Sequence, residues 1–296
     1  MPFQIDNRSI NTQIPTLQDK QLLIVDNYYD EYIKLQYLKH IRASGIKYIW
    51  SQDNDLSYLS EMPDIECIAA SNEAVSIEAL YALNELKYLC LGTDNLEFDY
   101  ALLSASLEYL HTKYETANKS WLNLETLKAL EFTDFSTVDL QLLHSCKSKQ
   151  QIEQFAVNVS FGKFKALNGI EALANLKFLG LNYCRRLEDI TAIKQLKKLK
   201  TLHIFDAIQR LNLLPVFELT NLEELYLISG DEGGKKTINS IKLLNNLPNL
   251  KRCVTNYNIL DGDLKPLLKL EHAEIIEDKN HYNLKDKKLP KKEIKK

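Results

Sequence analysis

Nowhere in the 296 residues is there a run approaching the roughly 18 apolar residues that a membrane-spanning helix requires, so no segment is expected to lie in a bilayer. Cysteine is sparse. Cys67, Cys90, Cys146, Cys184 and Cys253 form an odd, scattered set without C-x-x-C spacing, which argues against a disulfide framework and against a cysteine zinc site. They read as small apolar side chains in a reducing compartment. The opening MPFQIDNRSINTQIPTLQDK has neither the basic start nor the apolar stretch of a secretory signal, and a cytoplasmic location is the expectation. H-E-x-x-H, G-x-S-x-G and G-x-G-x-x-G are missing. The glycine-rich run GDEGGKKT at 230–237 fails as a phosphate loop, because Ser229 stands where a glycine would have to precede Gly234. These absences leave no catalytic residue, no metal site and no cofactor to expect, and the chain is not expected to be an enzyme.

Charge is unevenly spread. The formal net charge is −3, yet residues 279–296 hold eight lysines against Asp286 and Glu293, a local +6 that leaves −9 on residues 1–278. A nucleic-acid surface would need a basic body, so neither nucleic acid nor membrane is an expected partner. The lysine-rich stretch 278–296 reads as a disordered, solubilising tail.

What the chain does have is a leucine pattern. Leu176, Leu179 and Leu181 stand at offsets 0, 3 and 5 of a short segment, with Cys184 at offset 8, and Leu199, Leu202 and Ile204 begin the pattern again. Three apolar side chains that gather at a short strand can be buried only against a neighbour of the same kind, so one copy predicts others. Copies start at Ile46, Ile65, Leu86, Leu107, Leu127, Ile152, Leu176, Leu199, Leu222, Leu250 and Leu270, at spacings of 19 to 28 residues. Between them, apolar residues recur in steps of three, as in Ile77-Leu80-Leu83, Ile190-Ile193-Leu196 and Ile241-Leu244-Leu247. That step suits short, tight helical segments. Pro215 and Pro248 punctuate the same side.

This pattern resembles the leucine-rich repeat, and the segment LEDITAIKQL at 187–196 is similar to its internalin-like type. The resemblance implies an α/β solenoid curved as a horseshoe, with a parallel β-sheet on the concave face and short helices or turns on the convex face. The repeats cover 46–277, and 1–45 forms an N-terminal lead-in with a β-α cap: an irregular stretch, a strand at 21–26, a helix at 28–44 and Gly45 to close it. The asparagine the repeat type carries at offset 8 is mostly missing here, as at Glu73, Phe135 and Ala207, so the turns must satisfy their backbone groups in another way. Neither the leader nor the wall anchor of secreted internalins is evident, so the resemblance carries over for fold and not for adhesion.

With offsets 0, 3 and 5 inside, offsets 1, 2, 4, 6 and 7 face the concave side or its rims. Aromatics crowd those columns: Tyr88, Tyr109 and Phe178 at offset 2, Tyr226 at offset 4, Phe205 at offset 6, and Tyr114, Tyr183 and Tyr257 at offset 7. His111 and His203 share the offset-4 column, but four repeats separate them, about 19 Å on an ideal sheet, which keeps them from sharing a metal. Rigid exposed aromatics are what protein interfaces use as anchors. Tyr88, Tyr109, His111, Phe178, Tyr183, His203, Phe205 and Tyr226 are therefore the candidate partner-binding residues, with Glu131, Glu223 and Glu224 steering a partner of basic surface. The expected function is non-enzymatic protein binding by a monomer. A sharper expectation, from the acidic body and stand-alone repeats, is an immunity protein that neutralises a toxin. The alternative is a scaffold or regulatory subunit of a cellular enzyme such as a phosphatase.

Overall fold

From Ile65 onward each repeat is built on one short strand that begins two residues after a buried leucine or isoleucine. The computed structural model describes residues 3–6, 22–25, 48–51, 54–70, 73–92, 97–114, 118–133, 139–159, 165–207, 211–229 and 237–275, with side-chain surroundings from Ser51 onward. The expected helix at 28–44 and the lysine-rich stretch lie outside these residues, as does most of the glycine-rich run.

The chain forms two compact units. The first spans Met1–Thr133 with Cys146–Gln151 and contains β1 (Phe3–Asp6), β2 (Leu22–Val25), β3 (Tyr48–Ser51), β4 (Cys67–Ala70), β5 (Tyr88–Leu91), β6 (Tyr109–Lys113) and β7 (Ala129–Thr133). From β2 onward they pair in parallel in chain order. β1 differs from expectation. Residues 3–6 fell in a stretch read as irregular, yet they form a strand antiparallel to β2. The tetrapeptide FQID alternates apolar and polar residues, the two-residue period of a strand, too short to stand out without a partner to pair with.

The second unit spans Asp134–Ser145 with Ile152–Lys296. Its strands are β8 (Gln154–Asn158), β9 (Phe178–Asn182), β10 (Thr201–Phe205), β11 (Glu224–Ile228), β12 (Thr237–Ile238), β13 (Arg252–Thr255), β14 (Asn258–Ile259) and β15 (His272–Ile275). β8, β9, β10, β11, β13 and β15 make one parallel sheet, and β12 pairs with β14 beside it.

The same logic fills both cores. In the copies that start at Ile65 and beyond, offset 0 is buried, as at Leu86, Leu107, Leu176, Leu199 and Leu222. So are offsets 3 and 5, as at Leu110 and Thr112, Leu130 and Phe132, Leu202 and Ile204, except that Ala70 at the end of β4 is half-buried. Successive strand residues point to opposite sides, so the residues between are left on the other, open face. The buried face is covered by 3₁₀ segments, among them Ile77–Ala82, Ser120–Asn123, Thr191–Gln195 and Lys242–Asn246. Three residues per turn align side chains at i and i+3, which is why Ile190, Ile193 and Leu196 are all buried from so short an element. Trp121 meets Phe132 of β7 with ring centroids 5.0 Å apart, and the Tyr100 hydroxyl lies 2.6 Å from Thr112 Oγ1 of β6. Pro215 and Pro266 each open a 3₁₀ segment, where a missing N–H costs nothing. Each unit is thus a leucine-rich-repeat solenoid of parallel strands and short 3₁₀ turns.

Two readings need correcting or completing. Offset 7 does not uniformly face outward, because odd offsets share the inward side as long as the strand pleat continues. Tyr114 and Tyr257 are buried at 5% and 2% exposure, and Tyr114 packs edge-on against Phe132 at 5.2 Å. The missing offset-8 asparagine is replaced by prolonged backbone pairing: Tyr183 N–H donates to Phe205 O at 2.7 Å and Asp206 N–H to Ile228 O at 2.7 Å. Asparagines just before offset 0 add a second tie. Asn221 Nδ2 donates to Lys197 O at 2.7 Å and Asn249 Nδ2 to Thr220 O at 2.9 Å, each one repeat back.

Candidate functional site

In the first unit the open face of β5, β6 and β7 carries a polar aromatic cluster. Parallel register sets Tyr88 beside Tyr109 and His111 beside Glu131. The tyrosine rings stack with centroids 4.1 Å apart and planes 4° from parallel. Tyr109 donates its hydroxyl proton to Glu131 Oε2 at 2.9 Å, and His111 Nδ1 lies 3.7 Å from the same oxygen. His111 and Glu131 are each 26% exposed, enough to meet a partner while held in place. Burial raises the phenol pKa of both tyrosines, with nearby Glu131 adding to the effect. They therefore act as neutral donors and apolar surface. Cys90 sits beside His111 in the register, and burial, followed by Glu131, pushes its thiol up to about 12.

In the second unit the rings run from strand to strand. Phe178 of β9 meets His203 of β10 edge-on at 4.9 Å, and His203 meets Tyr226 of β11 at 4.2 Å and 60°. Tyr226 donates to Glu224 Oε2 at 3.1 Å and accepts from Arg252 Nη1 at 3.1 Å, so four adjacent strands contribute. Gly180, paired with His203, makes room for this. A Cβ there would sit 3.1 Å from Ala156 Cβ and 3.3 Å from Phe178 Cε1, so the missing side chain lets the Phe178 ring lie along the sheet. Desolvation lowers the His203 pKa to about 4, leaving a neutral imidazole near pH 7.

The remaining candidates separate into other patches. Tyr183 and Phe205 meet edge-on at 5.0 Å at the strand exits. Tyr183 there adopts φ 55° and Asp206 φ 50°, the left-handed region that non-glycine residues enter at a cost. Asp206 is held by Arg185 Nε at 2.6 Å, with its own side chain 1% exposed. Glu223 stands at the strand entrances, where its carboxylate takes Lys200 Nζ at 2.8 Å and Lys251 Nζ at 2.6 Å. Those lysine bonds hold its pKa below the usual carboxylate range. Its charge is satisfied within the chain and lies apart from the aromatic set. Glu224, by contrast, belongs to that set through Tyr226.

Sequence reasoning passed over Arg252, although the offset-2 column contains it. The signal was its register one strand beyond Glu224. The structure offers contact surface with fixed donors and acceptors. Burial raises the pKa of Cys67, Cys90, Cys146, Cys184 and Cys253 alike, so none is an activated thiolate. Among the described residues no group of three His, Cys, Asp or Glu side chains could hold a metal ion, and no helix is long and apolar enough to cross a membrane.

No protein-family model matches the sequence, and no curated protein matches it. Solved structures do resemble it. An internalin (inlF) from Listeria monocytogenes superposes with a TM-score of 0.53 at 17% identity, over 88% of this chain and 83% of the internalin. A chain of the Drosophila Toll–Spatzle complex reaches 0.60 at 15% identity, over 86% of this chain and 36% of that one. A TLR13–ssRNA13 complex gives 0.50 at 19% identity, over 78% of this chain and 39% of that one. At such identities the likeness is one of fold, the leucine-rich-repeat solenoid.

Proposed function

We propose that this chain is a non-enzymatic protein-binding module whose partner docks on the open sheet face, and that the partner is a toxin with a basic surface. In this reading the chain is a cytoplasmic immunity protein. The observation that carries it is the ring series Phe178–His203–Tyr226 with Arg252, on four neighbouring strands of one open face. Ring neighbours and hydrogen bonds already restrict these side chains, so docking costs little further conformational entropy, and aromatic and arginine side chains dominate binding energy at protein interfaces. The −9 formal charge on residues 1–278 favours a basic partner. A chain of like fold occurs in the Toll–Spatzle complex, which is consistent with a protein-binding role for a chain of this fold.

The test is a pull-down from the native cells with wild-type protein and Phe178→Ala/Tyr226→Ala protein as parallel baits, after matching their thermal midpoints. The expected outcome is one stoichiometric partner captured by the wild type and lost by the variant. Each truncation of a hot-spot ring costs about 2 kcal/mol or more, roughly thirtyfold in affinity. The captured partner should be toxic when expressed alone and silenced by equimolar wild-type chain. A partner held equally by both baits overturns the docking face. A partner that is bound but not inhibited overturns the immunity reading and leaves a scaffold or regulatory subunit.

A further inference from the structure

The strand entrances of the second unit carry a different chemistry. The residue at offset 1 forms a continuous column there, because each backbone N–H bonds to the carbonyl of its counterpart one repeat earlier: Lys177 to Glu153, Lys200 to Lys177, Glu223 to Lys200, Lys251 to Glu223 and Glu271 to Lys251. In the first unit the equivalent column reads Glu66, Lys87, Glu108, Lys128, in strict alternation. Lys87 there reaches Glu66 at 3.0 Å and Lys128 reaches Glu108 at 2.7 Å. Alternation lets neighbouring repeats neutralise one another. At Lys177 and Lys200 it breaks, and two ammonium side chains stand on adjacent strands, about 4.8 Å apart in an ideal sheet.

The break lies in a groove of about 390 Å³. Lys197 and Lys198 join Lys177, Lys200 and Lys251 in lining it, and Glu223 is the one acid among the lining residues. Lys177 also reaches Glu153 at 2.6 Å, and Lys198 donates to the neutral Asn175 Oδ1 at 2.6 Å. Five ammonium groups against the carboxylates of Glu223, Glu153 and Glu271, the last on the strand next to Lys251, leave an excess of two. Like charges held side by side cost stability unless an anion joins them. Glu223 shows what relieves them, since its carboxylate already bridges Lys200 and Lys251. The Asn221 and Asn249 ties to the preceding repeats fix the groove floor.

We infer that this groove binds an acidic polypeptide segment of a partner, whose carboxylates take the places that further glutamates would occupy in an unbroken column. The volume is at the small end of the about 300–1,000 Å³ usual for ligand sites, which suits a short extended segment. None of the lining residues is aromatic, so the groove lacks the stacking platforms on which single-stranded nucleic acids rely. The site is distinct from the aromatic face and does not depend on the reading given to that face.

The test uses the full chain and a fluorescein-labelled oligoglutamate peptide, followed by fluorescence anisotropy at low and high salt, with a labelled oligouridylate of equal charge beside it. The wild type should bind the peptide with affinity that falls as salt rises. Lys198→Gln/Lys200→Gln should weaken it by about tenfold or more, Lys198→Arg/Lys200→Arg should retain it, and Lys128→Gln, outside the groove, should leave it unchanged. Lys128, Lys198 and Lys200 are exposed, so all variants should remain folded, which cooperative thermal unfolding of each checks. Equal peptide binding by the glutamine variant would place the affinity elsewhere, including the lysines of 279–296 that every variant retains, and would overturn the site. Absence of peptide binding by the wild type overturns it too. Oligouridylate binding tighter than peptide and lost with the same two lysines would overturn the acidic-segment assignment in favour of a phosphate backbone.

Discussion

At the scale of the residue, His203 is held between Phe178 and Tyr226, and burial lowers its pKa from 6.5 to about 4. The sign of the consequence follows from linkage. An unfolded chain takes up the proton near pH 6.5, whereas the folded one resists until about 4, so the stabilisation held at neutral pH is lost as pH falls through that window. Urea midpoints of the wild type and His203→Gln, followed from neutral pH down to about 4, should show the wild type's advantage shrinking across that interval. A constant difference would mean that His203 titrates normally in the fold. The same neutrality matters for recognition, since a partner approaching this face at neutral pH meets an apolar ring edge and the charges of Arg252 and Glu224, with no imidazolium between them.

At the scale of the element, the 3₁₀ segments seal the buried face, and their connections leave little slack. Gly169 precedes the segment Ile170–Ala172 with φ 103°. A Cβ at that position would strike the backbone carbonyl of Leu140 and lie 2.6 Å from Gln141 N. Positive φ alone costs a side-chain-bearing residue about 1–3 kcal/mol, and backbone atoms cannot swing aside as a flexible side chain would. Gly169→Ala should therefore destabilise the protein by at least about 3 kcal/mol, read as a lowered denaturant midpoint. A loss below about 1 kcal/mol would show that the two segments part easily. Nothing in the sequence marks Gly169, because the partner that crowds it stands 29 residues earlier in the chain. The step-of-three apolar spacing, in contrast, announced the segments themselves, since it states which side chains must leave water and at what angular interval.

At the scale of the molecule, a solenoid is held by nearest neighbours. Leu202 is fully buried in β10, between β9 and β11. Leu202→Ala should cost about 2–5 kcal/mol. Hydrogen exchange should lose protection in β9, β10 and β11 before β15, which pairs with β13 two strands away from β10. Uniform loss through the second unit would show a more cooperative core than nearest-neighbour stacking implies. Charge is also arranged at this scale. The formal total is small, yet the acidic residues of the open face and the lysine groove of the strand entrances can each select a partner surface of opposite sign.

Apart from β12 and β14, the sequence by itself determined where each strand from β3 onward starts and, from β4 onward, which side of it faces the core. Those features depend on local spacing: offsets 0, 3 and 5 are all apolar in eight of the eleven copies, and a two-residue pleat sets which side offsets 3 and 5 share. It also picked out the rings of Tyr88, Tyr109, Phe178, His203 and Tyr226, because they stand on the alternate positions. Only the tertiary structure decided which of them touch. The Tyr88–Tyr109 stack, the bond from Arg252 to Tyr226, the burial of Tyr114 and Tyr257, and the crowded approach at Gly169 join residues that mostly stand about twenty or more apart in sequence. Such contacts are set by register between repeats and by where a strand stops pleating, and neither is written in any single repeat. The lysine groove falls between the two. Its column was legible as an alternation of glutamate and lysine, but the break acquires meaning only when Lys177 and Lys200 are seen on adjacent strands with Lys197 and Lys198 beside them.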